Sequence, residues 1–210
     1  MKDWTKTFGE DLWLKPDDVG EEEAAFIAKA LHLRPGQAVL DAPCGAGRIA
    51  VHLAHRGCKM TGIDLRPSFT RRAAARFRHE SQSGHFTPMD LRAMDFREEF
   101  HAAYSWLGSF GYFSADDNLA VLKRYVAALR RGGRLLVDQP NREAMLRHFV
   151  PMHSAGGRTI KNHWNAREER MESDWIVERA GKKQHNRMSI RLYTAAQMRR
   201  LFGRSGLTVE

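Results

Sequence analysis

The chain contains few cysteines and no long apolar run. Cys44 and Cys58 are its two cysteines among 210 residues, which excludes a disulfide framework and fits a reducing cytoplasm. No run approaches the ~20 apolar residues of a membrane span, and the N-terminus lacks the apolar core of a signal peptide. We therefore expect a cytoplasmic protein with no membrane association.

Metal-ligand clusters and internal repeats are also missing. The ten histidines are scattered along the chain, and no Cys/His group has the spacing of a zinc site. We find no repeated unit and no low-complexity segment. The length suits a single domain with a substantial core, and we expect no bound metal.

The charge is strongly positive. The formal net charge is +9, from 34 Lys and Arg against 25 Asp and Glu, and such an excess is compatible with an acidic partner such as nucleic acid. The arginines, however, are spread over several predicted helices, which is typical of a solvated surface. No named nucleic-acid motif is present, so we expect no nucleic-acid partner.

Residues 39–50 have the pattern of an apolar strand, a glycine turn and the start of a helix. This order places backbone N–H groups and a helix N-terminus at the carboxyl end of a strand, where open α/β sheets bind ligands. Asp41 precedes Gly45 and Gly47 in this turn. A carboxylate there opposes a pyrophosphate and favours a cationic ligand, such as an ammonium or a sulfonium.

Strands and helices alternate through the first two thirds of the chain, which predicts a parallel sheet with helices on both faces. Three strands then follow one another without helices, which predicts an antiparallel segment before a last helix. The predicted strands are 38–41, 59–64, 85–87, 102–107, 134–138, 159–165, 172–179 and 186–193. The predicted helices are 21–32, 48–56, 67–78, 115–130, 142–149 and 195–204, with a loop at 153–157 and a strand beginning at 207–210.

Two more acids end or follow predicted strands. Asp64 closes the second strand, where a carboxylate can accept hydrogen bonds from both ribose hydroxyls. Asp90 lies just past the third strand, where a carboxylate can take the exocyclic amine of adenine. Right-handed crossovers place Asp41, Asp64 and Asp90 at one edge of the sheet.

The ordered set Asp41, Gly45, Gly47, Asp64 and Asp90 resembles motifs I, II and III of the class I S-adenosylmethionine-dependent methyltransferases. The resemblance covers roughly residues 36–138. It implies a Rossmann-like, doubly wound, mostly parallel sheet and S-adenosyl-L-methionine as cofactor. The cofactor-binding residues it implies are Asp41, Ala42, Gly45, Gly47, Arg48, Asp64, Leu65, Asp90, Leu91 and Leu107.

The segment 106–114 and the later 191–194 resemble bacterial small-molecule methyltransferases, and the antiparallel insertion is similar to the cap of the amino-sugar N-methyltransferases. In those families the cap builds the acceptor pocket and often a dimer contact. The resemblance thus implies a homodimer, with Trp106, Phe110 and Tyr112 as acceptor-binding residues. By position near the predicted mouth, Tyr112 and His153 are candidate catalytic residues.

We therefore predict a methyltransferase that acts on an N or O atom of a small molecule. The expected organisation is a leader and helix at 1–35, a cofactor-binding core at 36–140 and an antiparallel cap at 150–193. Three alternatives stay open: an RNA methyltransferase, an NAD(P)-dependent oxidoreductase and a basic RNA-binding module. The pattern departs from the family at Pro43-Cys44, and we expect the final strands of the sheet to be incomplete.

Overall fold

Five parallel strands form the central sheet of the structure, a computed structural model that describes residues 20–179 and 182–210. The strand order is β3-β2-β1-β4-β5. These strands are β1 Ala38–Asp41, β2 Lys59–Asp64, β3 Gly84–Pro88, β4 Phe100–Ser105 and β5 Leu129–Val137. The order reverses between β1 and β4, and ligands of open α/β sheets bind beyond the carboxyl ends of the strands at such a point.

Helices cover both faces of this sheet, as the sequence predicts. They are α1 Gly20–Ala30, α2 Arg48–His55, α3 Pro67–His79, α4 Ala115–Ala128, α5 Arg142–Arg147 and α6 Ala195–Ser205, with a 3₁₀ turn at Leu91–Ala93. Successive strand residues point to opposite faces. Val39 packs in the core cluster of α1 and α2, and Leu40 packs in the cluster of α4. The doubly wound arrangement follows from this alternation.

A second, antiparallel sheet precedes the last helix. Its strands are β6 Met152–Ala155, β7 Arg158–Asn165, β8 Arg170–Arg179 and β9 Lys182–Arg191, in the order β6-β7-β8-β9. Met171 and Ile190 form a small core cluster, against which Tyr112 packs. The N–H of Arg191 also donates to the carbonyl of Gly111 at 2.8 Å. The two sheets therefore meet at the segment that follows β4.

Residues close in sequence cap both ends of the last helix. Thr194 accepts from the N–H of Gln197, and the Gln197 side chain accepts from the N–H of Thr194. Gly206 ends the helix in the left-handed conformation, with φ of 91°. These capping interactions depend on nearby residues alone, and for this reason the sequence predicts them well.

Three predicted elements differ from the structure. Residues 152–155 form the strand β6, where the sequence predicts a loop, because their backbone pairs with β7 although their side chains are exposed. Helix α4 ends at Ala128 and not at residue 130, and β5 begins at Leu129 and not at residue 134. Residues 207–210 form no strand.

Smaller corrections concern individual positions. Strand β4 ends at Ser105, so Leu107 lies beyond it with φ of 58°. Phe26 is 55% exposed, and its ring lies 5.6 Å from that of Trp106, with the two ring planes tilted by 41°. The predicted leader and the turn residues 180–181 lie outside the described residues. None of the helices within the described ranges is long and apolar enough to cross a membrane.

Candidate cofactor site

The glycine turn connects β1 to α2 at the centre of the sheet edge. Gly45 and Gly47 have φ of 51° and 72°, which residues with a side chain rarely adopt. A Cβ on Gly47 would lie 2.9 Å from the Cβ of Ala73, because α3 packs closely against this turn. Gly45 is therefore needed for the conformation of the turn, and Gly47 is also needed for the close packing of α3 against it.

Asp64, at the end of β2, holds this turn in place. Its Oδ2 accepts from the N–H of Gly45 at 3.0 Å, and its Oδ1 accepts from the N–H of Arg66 at 2.9 Å. Burial raises the pKa of Asp64, and these two hydrogen bonds oppose the increase. Each carboxylate oxygen keeps a further lone pair, so Asp64 can still accept from a ligand.

Asp41, at the end of β1, is 3% exposed. The pKa of Asp41 is raised to about 8, chiefly by burial and also by nearby Asp64, while Tyr104 and Arg48 oppose the increase. Among the described residues, the buried hydroxyl of Tyr104 has no partner with ordinary hydrogen-bond geometry. A buried carboxyl with a strongly raised pKa beside a glycine turn marks a candidate ligand site.

Arg48, the first residue of α2, joins this site to α1. Its Nη2 forms an ion pair with Glu23, and the two side chains are 10% and 17% exposed. The other terminal nitrogen, Nη1, is buried and has no hydrogen-bond partner among the described residues. A buried donor without a partner is costly, so this nitrogen is available to an anionic group of a ligand.

Asp90 lies beyond β3 and caps the 3₁₀ turn. Its Oδ1 accepts from the N–H of Arg92 at 2.8 Å, and its Oδ2 lies 2.7 Å from Nη2 of the same arginine. Hydrogen bonding to this side chain lowers the pKa of Asp90. The guanidinium of Arg92 also lies 4.6 Å from the ring centre of Phe113. The sequence did not reveal the role of Arg92, since Asp90 and Arg92 are not at helical spacing.

The remaining cofactor candidates surround these acids. Ala42 is fully buried, and its carbonyl accepts from the hydroxyl of Tyr125 on α4. Leu91 is buried, Leu65 is half-buried, and Leu107 is 43% exposed. Sequence analysis also missed Tyr104 and Tyr125, because buried aromatics on a strand or helix look like ordinary core residues.

The aromatic segment after β4 divides into two parts. Phe110 is 3% exposed and packs against Leu122 and Tyr193, so its ring belongs to the core. Trp106 and Tyr112 are half-buried. The pKa of Tyr112 is raised to about 12, chiefly by burial and also by Asp64, while a hydrogen bond with Ser109 opposes the increase. The Tyr112 phenol therefore lies within electrostatic reach of the cofactor edge.

The structure places His153 away from Tyr112. It is exposed on β6, at the opposite edge of the antiparallel sheet from β9, which adjoins the segment of Tyr112. Within residues 20–179 and 182–210, no three His, Cys, Asp or Glu side chains are grouped so that they could hold a metal ion.

Sequence comparison identifies a domain that covers this edge of the sheet. Residues 39–133 match the family described as "Methyltransferase domain". The chain is 32% identical over 146 residues to the 23S rRNA (uracil(1939)-C(5))-methyltransferase RlmD of Ralstonia nicotianae, covering 64% of this chain and 32% of that protein. It is 32% identical over 145 residues to the O-methyltransferase resE of Aspergillus sclerotiorum, covering 62% and 54%. The chain thus spans about a third to a half of these relatives.

Solved structures resemble the whole fold. The CcbJ methyltransferase of Streptomyces caelestis matches with a TM-score of 0.77 at 16% identity, over 99% of this chain and 85% of that one. The SAM-bound amino pentose methyltransferase CalS10 of Micromonospora echinaspora matches with a TM-score of 0.67 at 21% identity, over 91% and 84%. Together with the domain match at residues 39–133, these likenesses show that the chain has the fold of these methyltransferases.

Proposed function

We propose that the protein transfers a methyl group from S-adenosyl-L-methionine to an N or O atom of a small molecule. The observation that carries this proposal is the buried carboxyl of Asp41 beside the glycine turn. Once this carboxyl is ionised, it would repel a pyrophosphate. A cationic ligand would favour its ionised form and gain from it, because charges interact strongly at a buried site.

The residues around Asp41 fit the rest of this cofactor. Arg48 offers its buried Nη1 to a carboxylate, while Asp41 would face the ammonium. Asp64 has acceptor capacity left for ribose hydroxyls. Asp90 would meet the adenine amine, sharing its carboxylate with Arg92. The remaining predicted cofactor residues would line the same edge.

The chain's own contribution to the reaction is positioning. The bound cofactor supplies an already activated methyl group, so the protein has to align the acceptor and exclude water. The pKa of Tyr112, about 12, keeps its phenol protonated at neutral pH, so we expect it to donate a hydrogen bond to the acceptor. A neutral amine acceptor needs no base, and His153 would serve only an acceptor that reaches β6.

The relatives support this function without deciding the acceptor. One carries the name of an O-methyltransferase, and one solved neighbour that of an amino pentose methyltransferase. We infer that the core at 36–140 binds the cofactor and that the antiparallel segment at 150–193 serves the acceptor, with a homodimer as a further proposal. The rRNA methyltransferase relative keeps RNA as the alternative substrate.

Calorimetric titration with S-adenosylhomocysteine and with NAD tests the cofactor. We expect S-adenosylhomocysteine to bind and NAD to give no signal, and binding of NAD alone would contradict the proposal. A methyl-transfer screen with amines, hydroxy acids, phenols and an rRNA transcript then tests the acceptor. Transfer to the transcript and to no small molecule would replace the small-molecule function with RNA methylation.

A further inference from the structure

The guanidinium of Arg170 is buried at the junction of the two sheets. Arg170 opens β8 and is 7% exposed. Its Nε donates to Oγ of Ser189 at 2.7 Å, and its Nη2 donates to the Ser189 carbonyl at 2.7 Å. These bonds tie the arginine to the neighbouring strand β9.

The same guanidinium reaches across to the segment after β4. Its Nη2 donates to the carbonyl of Tyr112 at 2.9 Å, and its Nη1 donates to the carbonyl of Phe113 at 2.9 Å. In the described part of the chain, these bonds all go to neutral oxygens, and no carboxylate lies within ion-pair distance of Arg170. Burial accordingly lowers its pKa.

A buried cation without a paired carboxylate is an expensive way to hold two strands together. Its advantage is geometric, since the planar fork of a guanidinium can hold several acceptors at once in fixed directions. Here it joins Tyr112 and Phe113 to Ser189, and so links the aromatic segment to the antiparallel sheet. Neutral side chains of similar size have no such fork.

Two glycines and a side chain of α4 shape the segment that Arg170 contacts. Gly108 and Gly111 have φ of 67° and 105°, so the backbone turns twice before Tyr112. Asn118 of α4 donates to the Phe113 carbonyl at 3.1 Å and anchors the far end. Arg170 holds the carbonyl of Tyr112 itself, whose phenol lies within electrostatic reach of Asp64.

We infer that Arg170 is a positioning residue that sets the Tyr112 side chain between the cofactor edge and the antiparallel sheet. It acts through the main-chain carbonyls of Tyr112 and Phe113. The consequence of this placement for methyl transfer rests on the proposed function. The placement itself is testable without knowing the acceptor.

Fluorine NMR of the full chain labelled with 3-fluorotyrosine tests this inference. The chain has four tyrosines, and single Tyr→Phe variants assign their signals. Arg170→Lys keeps the charge but replaces the planar fork with a single nitrogen, and Arg170→Gln removes the charge. In both variants we expect the Tyr112 signal to shift and broaden, while the signals of Tyr104 and Tyr125 in the core stay in place.

Arg187→Gln is the matched control. Arg187 lies on β9 with a 73% exposed side chain, and its Nε pairs with Asp174 at 3.1 Å, so its loss should leave all four signals unchanged. We also expect Arg170→Lys to bind S-adenosylhomocysteine with unchanged affinity. An unchanged Tyr112 signal in both Arg170 variants would overturn the inference, and so would equal shifts of all four signals in Arg170→Lys. Absence of S-adenosylhomocysteine binding in the wild type would instead count against the proposed function.

Discussion

The N–H of Gly45 donates to the carboxylate of Asp64 at 3.0 Å, so the acid that ends β2 holds the turn that follows β1. The second carboxylate oxygen accepts from the N–H of Arg66. The proposed ribose-binding residue therefore also shapes the proposed pocket for the methionine part. The two roles are coupled through one side chain.

Asp64→Asn should weaken S-adenosylhomocysteine binding by about 1.5–3 kcal/mol, the contribution of hydrogen bonds to a charged group. The amide can accept through one atom only, so either Gly45 or Arg66 loses its acceptor. Calorimetric titration measures the loss. Asp116→Asn, an exposed acid in the first turn of α4, is the control. An affinity equal to that of this control would remove Asp64 from both roles.

Cofactor binding should release a proton near neutral pH. The raised pKa of Asp41, about 8, keeps the unliganded carboxyl largely protonated at pH ~7, and a bound ammonium favours its ionised form. Affinity for S-adenosylhomocysteine should therefore increase as the pH rises from ~6 to ~8. Calorimetric titration at one pH in two buffers with different ionisation enthalpies measures the number of protons released on binding.

Asp41→Asn is the control, because it cannot release this proton. The same substitution also changes how stability depends on pH. The native pKa of Asp41 lies above its unfolded value of 3.8, so its contribution to stability is complete below pH ~4 and is lost as the pH rises through about 8. Urea unfolding across this interval should show a flatter profile in the variant. Equal proton counts in variant and wild type would contradict the assignment.

Gly47→Ala should destabilise the protein more than Gly45→Ala. Both substitutions place a side chain at positive φ, but only a Cβ on Gly47 meets a neighbour, Ala73, at 2.9 Å. Overpacking of this kind costs about 1–3 kcal/mol beyond the backbone strain. Urea unfolding of the two variants measures the difference. Equal losses would show that α3 yields at this contact.

The ion pair between Glu23 and Arg48 should couple α1 to the glycine turn. Its side chains are 17% and 10% exposed, so removing one partner leaves a poorly solvated charge, at a cost of about 1–3 kcal/mol. The double variant E23L/R48M should lose less stability than the sum of the single variants. A double-mutant cycle in urea measures this coupling energy.

The pair of Asp174 and Arg187 provides the comparison for this cycle. Its side chains are 51% and 73% exposed, and exposed pairs contribute about 0.2–1 kcal/mol. The buried pair should exceed this value. A coupling energy no larger than that of the exposed pair would contradict a structural role for Glu23.

Predictions from the sequence succeed where the deciding interactions are local. Strands β1 and β2 have the predicted bounds, because apolar runs between turn residues mark both. The predicted starts of α2 and α3 are also correct, after Gly47 and at Pro67. Strand β6 escaped prediction, because its side chains are all exposed and show no alternation, and only pairing with β7 makes it a strand.

The candidate site follows the same division. Asp41, Asp64 and Asp90 were predictable because each ends or follows a strand of a parallel sheet, and such ends meet at one edge. Phe110 and Tyr112 look alike in sequence, yet the first ring is buried against Tyr193 and the second packs at the junction of the sheets. Packing between distant segments decides which aromatic residue faces the site.

The sequence by itself determined the strand–turn–helix unit, the alternation of the parallel sheet and the acids at its edge, since neighbouring residues and periodicity specify them. The tertiary structure alone decided that Asp64 holds Gly45, that Arg48 pairs with Glu23, and that Arg170 holds the carbonyl of Tyr112. Each of these contacts joins residues far apart in the chain. Folding has to bring the partners together before either side chain acquires its role.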